Sequence, residues 1–236
     1  MGVIIYRLFL SGEANMEIRR RYSQQLDDLK LEVLRMGALT ESALAKALQA
    51  LFERNSDLAE EVVERDQEID LLEVEIDRRC LSLLALEQPM ARDLRFIIGC
   101  MRVCTNLERI ADQAVNIAER ALYLNQRPAL PHQPLVEQLA AISKEMLKKS
   151  ISSFNNGRAS EAAEVCAMDD AADELNVKIL RHFIDHMVAE VRAVERAVYS
   201  IIVSRCLERC GDLATNVAEA VVFIVEGVDI KHYCQP

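Results

Sequence analysis

Apolar and polar positions along this chain recur at helical spacing nearly throughout, and the interruptions divide it into six runs. From about Glu17 to Arg54, Leu26, Leu29, Val33, Met36, Ala43, Ala47 and Leu51 return largely at the spacing of one helix face. Asn55-Ser56-Asp57 supplies a turn and an N-cap for a second helix reaching roughly Leu86. Glu87-Gln88-Pro89 punctuates that run. Proline is tolerated in a helix's first turn but breaks an interior, so a third helix is placed from Pro89 to about Tyr123. A fourth is expected over Leu135–Phe154, closed by Asn155-Asn156-Gly157, residues that accept left-handed backbone geometry. A fifth runs from Ala159 towards His186, and a sixth over Ala189–Glu226, before Gly227.

The last break carries no Gly or Pro. It is placed near residues 186–190 because the third helix begins at the matching place one repeat earlier, near 87–89. A single helix longer than about 60 residues would also be unusual in so short a chain. Residues 125–134, NQRPALPHQP, contain three prolines and form the clearest internal boundary, a short stiff connection between two units. The partition is therefore an N-terminal extension (1–16), a first three-helix unit (17–125), a linker (126–134), a second three-helix unit (135–228) and a C-terminal tail (229–236). Residues 3–10 are apolar apart from Arg7, but they lack the basic start and cleavage pattern of a secretory signal. No apolar run approaches the roughly 20 residues needed to cross a bilayer.

Composition agrees with an all-helical chain. Five prolines and seven glycines among 236 residues leave helix interiors largely unbroken, and 51% hydrophobic content suffices for one large core or two modest ones. A formal charge of -10 argues against nonspecific nucleic-acid binding, which needs concentrated positive charge. The seven cysteines include no CxxC pair and read as reduced thiols of a cytoplasmic protein. Cys206 and Cys210 fall among apolar neighbours, which makes them small core residues rather than ligands.

The chemistry lies in a duplicated polar edge. Glu108, Asp112, Asn116 and Glu119 return as Glu208, Asp212, Asn216 and Glu219, displaced by 100 residues. With Glu208 at zero on a helical wheel, Asp212, Asn216 and Glu219 fall at about 40°, 80° and 20°, a narrow stripe. Cys206, Cys210, Leu213, Val217, Val221 and Ile224 lie opposite, at about 140–220°. On the preceding helices Asp66 and Asp70 match Asp169 and Asp173 at a displacement of 103, with Glu73 and Asn176 extending the two edges. Each unit thus offers two acidic pairs on neighbouring helices. Such a concentration of oxygen ligands suits hard cations, and bridging carboxylates could hold more than one. Arg109 and Arg209 are placed to pair with these acids or to contact a protein partner. An ordinary solvated helix edge is the competing reading.

The segments LERIADQAVNIAE (107–119) and LERCGDLATNVAE (207–219) closely resemble the duplicated motifs of the PhoU family, and PMARDLR (89–95) resembles the turn and helix start of its first repeat. The resemblance spans about residues 17–228. It implies an all-α fold of two tandem, similar antiparallel three-helix bundles. The implied role is negative regulation of high-affinity phosphate uptake and phosphate-starvation two-component signalling. The implied partners are a phosphate ABC transporter (ATPase and permease) and a phosphate-sensing histidine kinase, with the protein cytoplasmic and held peripherally at the inner face of the membrane. It further implies a homodimer, and divalent or trivalent metal ions (magnesium, manganese, iron or zinc), singly or as a multinuclear group, on the acidic motifs. The ligand set carried over is Glu108, Asp112, Asn116, Glu119, Glu208, Asp212, Asn216 and Glu219, with Asp66, Asp70, Asp169 and Asp173 as supplements. Cys210 and Leu213 depart from the residue types usual in the family, and Ala111 stands where the second motif has Gly211.

Enzymatic readings remain as alternatives. A di-iron oxidase would need paired Glu-x-x-His motifs, which are absent. His182 and His186 point away from the Asp169/Asp173 stripe and read as exposed or partly packed. A metal-dependent hydrolase lacks a convincing nucleophile or general acid, and no glycine-rich phosphate cradle is present. A plain helical scaffold is the third possibility.

Overall fold

The computed structural model describes residues 2–131 and 133–228, with side chains described except at 2–15 and 18. Six α-helices account for the fold: α1 (Gly2–Phe52), α2 (Ser56–Glu87), α3 (Ala91–Asn125), α4 (Pro134–Asn156), α5 (Ala159–Ala189) and α6 (Val194–Glu226). α1 to α3 form one unit and α4 to α6 the other. α3 packs on α1, α2 and α6, while α6 packs on α4, α5 and α3. The two units therefore meet through α3 and α6 at the centre, with a lesser contact between α1 and α4. Their apolar faces join in one continuous core instead of two separate ones. The apolar arc expected on α6 is accordingly too narrow: Leu207, Gly211, Ala214 and Ala218 are buried as well.

α3 and α6 run antiparallel, since Tyr123 stacks on Tyr199 near one end and Gly99 meets Ile224 near the other. The approach at Gly99 requires glycine: a β-carbon there would lie 2.2 Å from Ile224 Cγ1.

The helix ends follow local chemistry, with three corrections. Asn55 caps α2, its side chain accepting from the Leu58 N–H at 3.1 Å, and Gly157 ends α4 at φ +63° with its N–H on the Ser153 carbonyl. Pro89, however, is not in the first turn of α3; Met90 is the N-cap and the helix starts at Ala91. The α5–α6 break is real but is built as a 3-10 turn, Val191–Ala193, so α6 begins at Val194 and not at Ala189. At the N-terminus, α1 already runs from Gly2, so the backbone of residues 2–16 continues the first helix. The tail, 229–236, lies outside the described residues.

Two arginines pin the chain where it enters the linker. The Arg54 guanidinium donates to the Leu124 and Asn125 carbonyls at 3.1 and 2.8 Å, satisfying acceptors left open at the end of α3. Arg196 donates to the Pro128 carbonyl at 3.0 Å. No described helix is long and apolar enough to cross a membrane.

Candidate functional site

In each unit a buried hydroxyl anchors the helix that carries the acidic motif. Thr40 Oγ1 on α1 lies 3.0 Å from the Met36 carbonyl and 3.4 Å from the Leu107 carbonyl. Ser143 Oγ on α4 lies 2.9 Å from the Leu139 carbonyl and 2.8 Å from the Leu207 carbonyl. Leu107 and Leu207 immediately precede Glu108 and Glu208. One hydroxyl hydrogen thus joins two helices at the level of the motif, which fixes how α3 and α6 are turned about their axes. Gly211 serves the same end, allowing α6 to approach Met146 of α4.

So oriented, α6 directs Glu208 and Asp212 towards α5. Ligand oxygens of Asp173, Glu208 and Asp212 lie within 4.8 Å of one another. Asp169 completes the group; its Oδ1 is buried without a hydrogen-bond partner. Desolvation raises the Asp212 carboxyl to about 6, with repulsion from Glu208 and Asp173 adding to it. Asp169 is raised to about 6 by desolvation, then by Asp212 and Asp173, with the nearby Thr215 hydroxyl offsetting part of the rise. Glu208 is raised by desolvation and then by Asp173, while Arg205 and Arg209 pull it down.

The first unit carries a corresponding set of acids with more charge, but among the described residues only Asp173, Glu208 and Asp212 bring ligand oxygens within 4.8 Å of one another. Glu108 is raised to about 7 by desolvation, followed by repulsion from Asp112, Glu73 and Asp70. Asp66 is raised by desolvation and then by Asp70 and Asp112, and Asp112 by desolvation and then Asp70. Glu73 belongs to this group, raised by desolvation, Asp77 and Asp70, with Thr105 and Arg109 opposing. Its counterpart Asn176 is uncharged and accepts a hydrogen bond from Ser204 at 2.7 Å. The first group therefore holds five carboxylates and the second four, a difference present in the sequence at Glu73 and Asn176.

Asn116, Glu119, Asn216 and Glu219 take other places. Asn116 donates to the Asp112 carbonyl at 2.9 Å, and Glu119 pairs with Arg120. Asn216 and Glu219 line a cleft of about 380 Å³ between the units, with Asp77, Arg102, Thr105 and Arg109. The polar stripe continues along each helix, but the carboxylates of α2 and α5 that crowd it act on its first half, Glu108 and Asp112 on α3 and Glu208 and Asp212 on α6. Arg109 and Arg209 are exposed and act on the acids of their own units. His182 sits edge-on to Phe183, outside the acidic group. Cys206 and Cys210 are buried in the core, their thiols held above the ordinary range by desolvation.

This donor set fits a hard cation. Burial and mutual repulsion hold Asp169, Glu208 and Asp212 above the usual carboxylate range, so a divalent ion would relieve repulsion within the group. In the second unit Asp173, Glu208 and Asp212 could coordinate one, with Asp169 beside them.

The PhoU domain matches the chain twice, over residues 33–121 and 136–221. A phosphate-specific transport system accessory protein PhoU homolog of Aquifex aeolicus is 40% identical over 209 residues, covering 89% of this chain and 95% of that protein. The Serratia marcescens accessory protein PhoU is 31% identical over 92% of this chain and 90% of its own length. The crystal structure of Pseudomonas aeruginosa PhoU superposes with a TM-score of 0.85 at 34% identity, over 88% of this chain and all of that one. The Streptococcus pneumoniae phosphate transport system regulatory protein PhoU gives 0.83 at 27% identity, over 88% and 98%. Two copies of one domain, the fold they build and the sequence likeness along nearly the whole chain agree: this protein belongs to the PhoU family of phosphate transport regulators.

Proposed function

We propose that the protein is a noncatalytic, metal-binding adaptor that represses high-affinity phosphate uptake and phosphate-starvation signalling. It would dock between a phosphate ABC transporter and a phosphate-sensing histidine kinase at the inner face of the membrane, working as a homodimer in the cytoplasm. The regulatory role rests on family membership. The adaptor mechanism is supported by one observation above all, the convergence of Asp173, Glu208 and Asp212 from two helices.

In this reading Asp169 and Asp173 present oxygens from α5, and Glu208 and Asp212 present them from α6. Asp66, Asp70, Glu73, Glu108 and Asp112 do the same from α2 and α3. A cation held there supplies positive charge that neutralises the group and ties the two helices together. The Thr40 and Ser143 hydroxyls hold the acidic edges in register. Arg109 and Arg209 stay at the rim, available to a partner's acids. Regulation then follows from which partner the faces favour in each transporter state, a difference in binding free energy and not a chemical step.

The test is a phosphate-responsive reporter in cells lacking the protein, complemented with wild type or with Asp173→Asn/Asp212→Asn. The adaptor reading expects high reporter expression in phosphate-replete cells without the protein. Wild type restores repression and captures transporter or kinase components, whereas the double variant fails at both. Full repression by the variant would reject the metal-dependent step. Unchanged expression in cells lacking the protein, with neither component captured, would reject the adaptor role.

A further inference from the structure

Among the described residues, buried hydroxyls find partners with one exception, and it lies at the second acidic group. Thr40, Ser143, Ser150 and Ser200 donate to a carbonyl of their own helix. Ser153 donates to the Arg158 carbonyl and Ser204 to the Asn176 side chain. Thr215 is only 7% exposed, yet its Oγ1 has no hydrogen-bond partner, not even the carbonyl one turn earlier in α6. A buried hydroxyl left open is unfavourable and rare.

Its surroundings supply a reason. On the wheel that places Glu208 at zero, Thr215 falls at about 340°, at the edge of the acidic stripe and one turn beyond Asp212. Packing of α5 on α6 buries it and brings it beside Asp169. Asp169 Oδ1 is also buried and without a partner, so a donor and an acceptor on neighbouring side chains are both left open. The first unit has no equivalent. One repeat earlier the position is Val115, which has the same branched shape, no hydroxyl, and packs against the core. That unit's hydroxyl lies at the other end of its acidic group, Thr105 beside Glu73. Packing at this position therefore does not call for threonine; the second acidic group does.

We propose that Thr215 is a positioning residue for a cation in the second acidic group: its hydroxyl closes on Asp169 when the ion binds, holding one carboxylate oxygen and leaving the other for the ion. The inference rests on the metal-binding reading above and adds to it a difference in construction between the two groups. Mutual repulsion of Asp169, Asp173 and Asp212 opposes that closure, and a cation among them removes it. A hydrogen bond to the far oxygen of a ligating carboxylate is a common means of fixing its orientation.

The test uses the full-length chain carrying Glu108→Gln/Asp112→Asn, a parent in which the second group is the acidic site being titrated. Manganese binding is measured by calorimetry in this parent and after adding Thr215→Val or Thr215→Ser. Valine should weaken binding about tenfold or more, and serine should keep it within about twofold of the parent. Chemical denaturation of chelated protein is the second readout. The hydroxyl has no partner without the ion, so Thr215→Val should be at least as stable as the parent, with the loss confined to metal affinity. Equal manganese affinity in the valine variant and the parent would overturn the proposal and leave the metal-binding reading standing. Serine binding as weakly as valine would also overturn it, as would a valine variant that loses metal-free stability, the mark of a merely structural role. A parent that takes up no manganese while wild type does would assign binding to the first group and overturn it. Wild type that takes up none would remove the metal-binding reading and the proposal together.

Discussion

Replacing Glu108 with glutamine should stabilise the metal-free protein at neutral pH, although it removes a charged group from the family's repeated motif. Glu108 is half-buried and crowded by Asp112, Glu73 and Asp70, which together with desolvation raise it from 4.5 to about 7. At about 1.4 kcal/mol per pH unit that rise bounds the effect at about 3 kcal/mol. Solvent screening of a partly exposed group reduces the expected gain to about 1–2 kcal/mol. The folded-state value is the higher one, so between about pH 4.5 and 7 the folded chain binds more protons than the unfolded chain. The group's contribution is fully present below 4.5 and is lost as pH rises through 7. The Glu108→Gln variant should therefore melt about 2–8 °C above wild type at pH 8 and close to it at pH 5. Melting followed by circular dichroism after chelation, across pH 5 to 8, measures this. Saturating manganese should reverse the order, because an ion at a hundred times its dissociation constant adds about 2.7 kcal/mol to the form that binds it. An equal loss of stability at both pH values would refute the electrostatic argument.

Two further substitutions test how the site is held. Ser143→Ala should cost about 1 kcal/mol in chemical denaturation by removing the hydroxyl between the Leu139 and Leu207 carbonyls, and should weaken metal binding in the second unit only; unchanged stability and affinity would count against the anchoring role. Gly99→Val should cost about 1–3 kcal/mol by forcing Ile224 aside at the α3–α6 crossing, and a variant as stable as wild type would show that the helices meet less closely there.

Much of this architecture is legible in the residues. The six runs, the proline-rich linker and the 100-residue displacement give the helices and their pairing into units. The displacement of 103 between Asp66 and Asp169 also relates Thr40 to Ser143, so the two hydroxyl anchors were visible as a repeat, though not as anchors. What a helical wheel cannot supply is the height of the neighbouring helix. Asn216 and Glu219 share an edge with Glu208 and Asp212, yet lie one to two turns further on, where the neighbours lining their cleft come from α2 and α3. The sequence pattern places the start of α6 too early because the 3-10 turn at Val191–Ala193 has no Gly or Pro to mark it. The merging of two cores into one follows from apolar residues on more than one face of α6, including Leu207, Ala214 and Ala218, a breadth that the single polar stripe obscures.

The account stands most directly on whether these carboxylates hold a metal. Elemental analysis of protein purified without added metal, comparing wild type with Asp173→Asn/Asp212→Asn, measures it. Bound divalent or trivalent metal in wild type, with the second unit's share lost in the variant and its helical content intact, is the predicted result. Metal-free wild type that takes up no manganese, magnesium, iron or zinc on titration would contradict it, as would a variant that keeps its full complement.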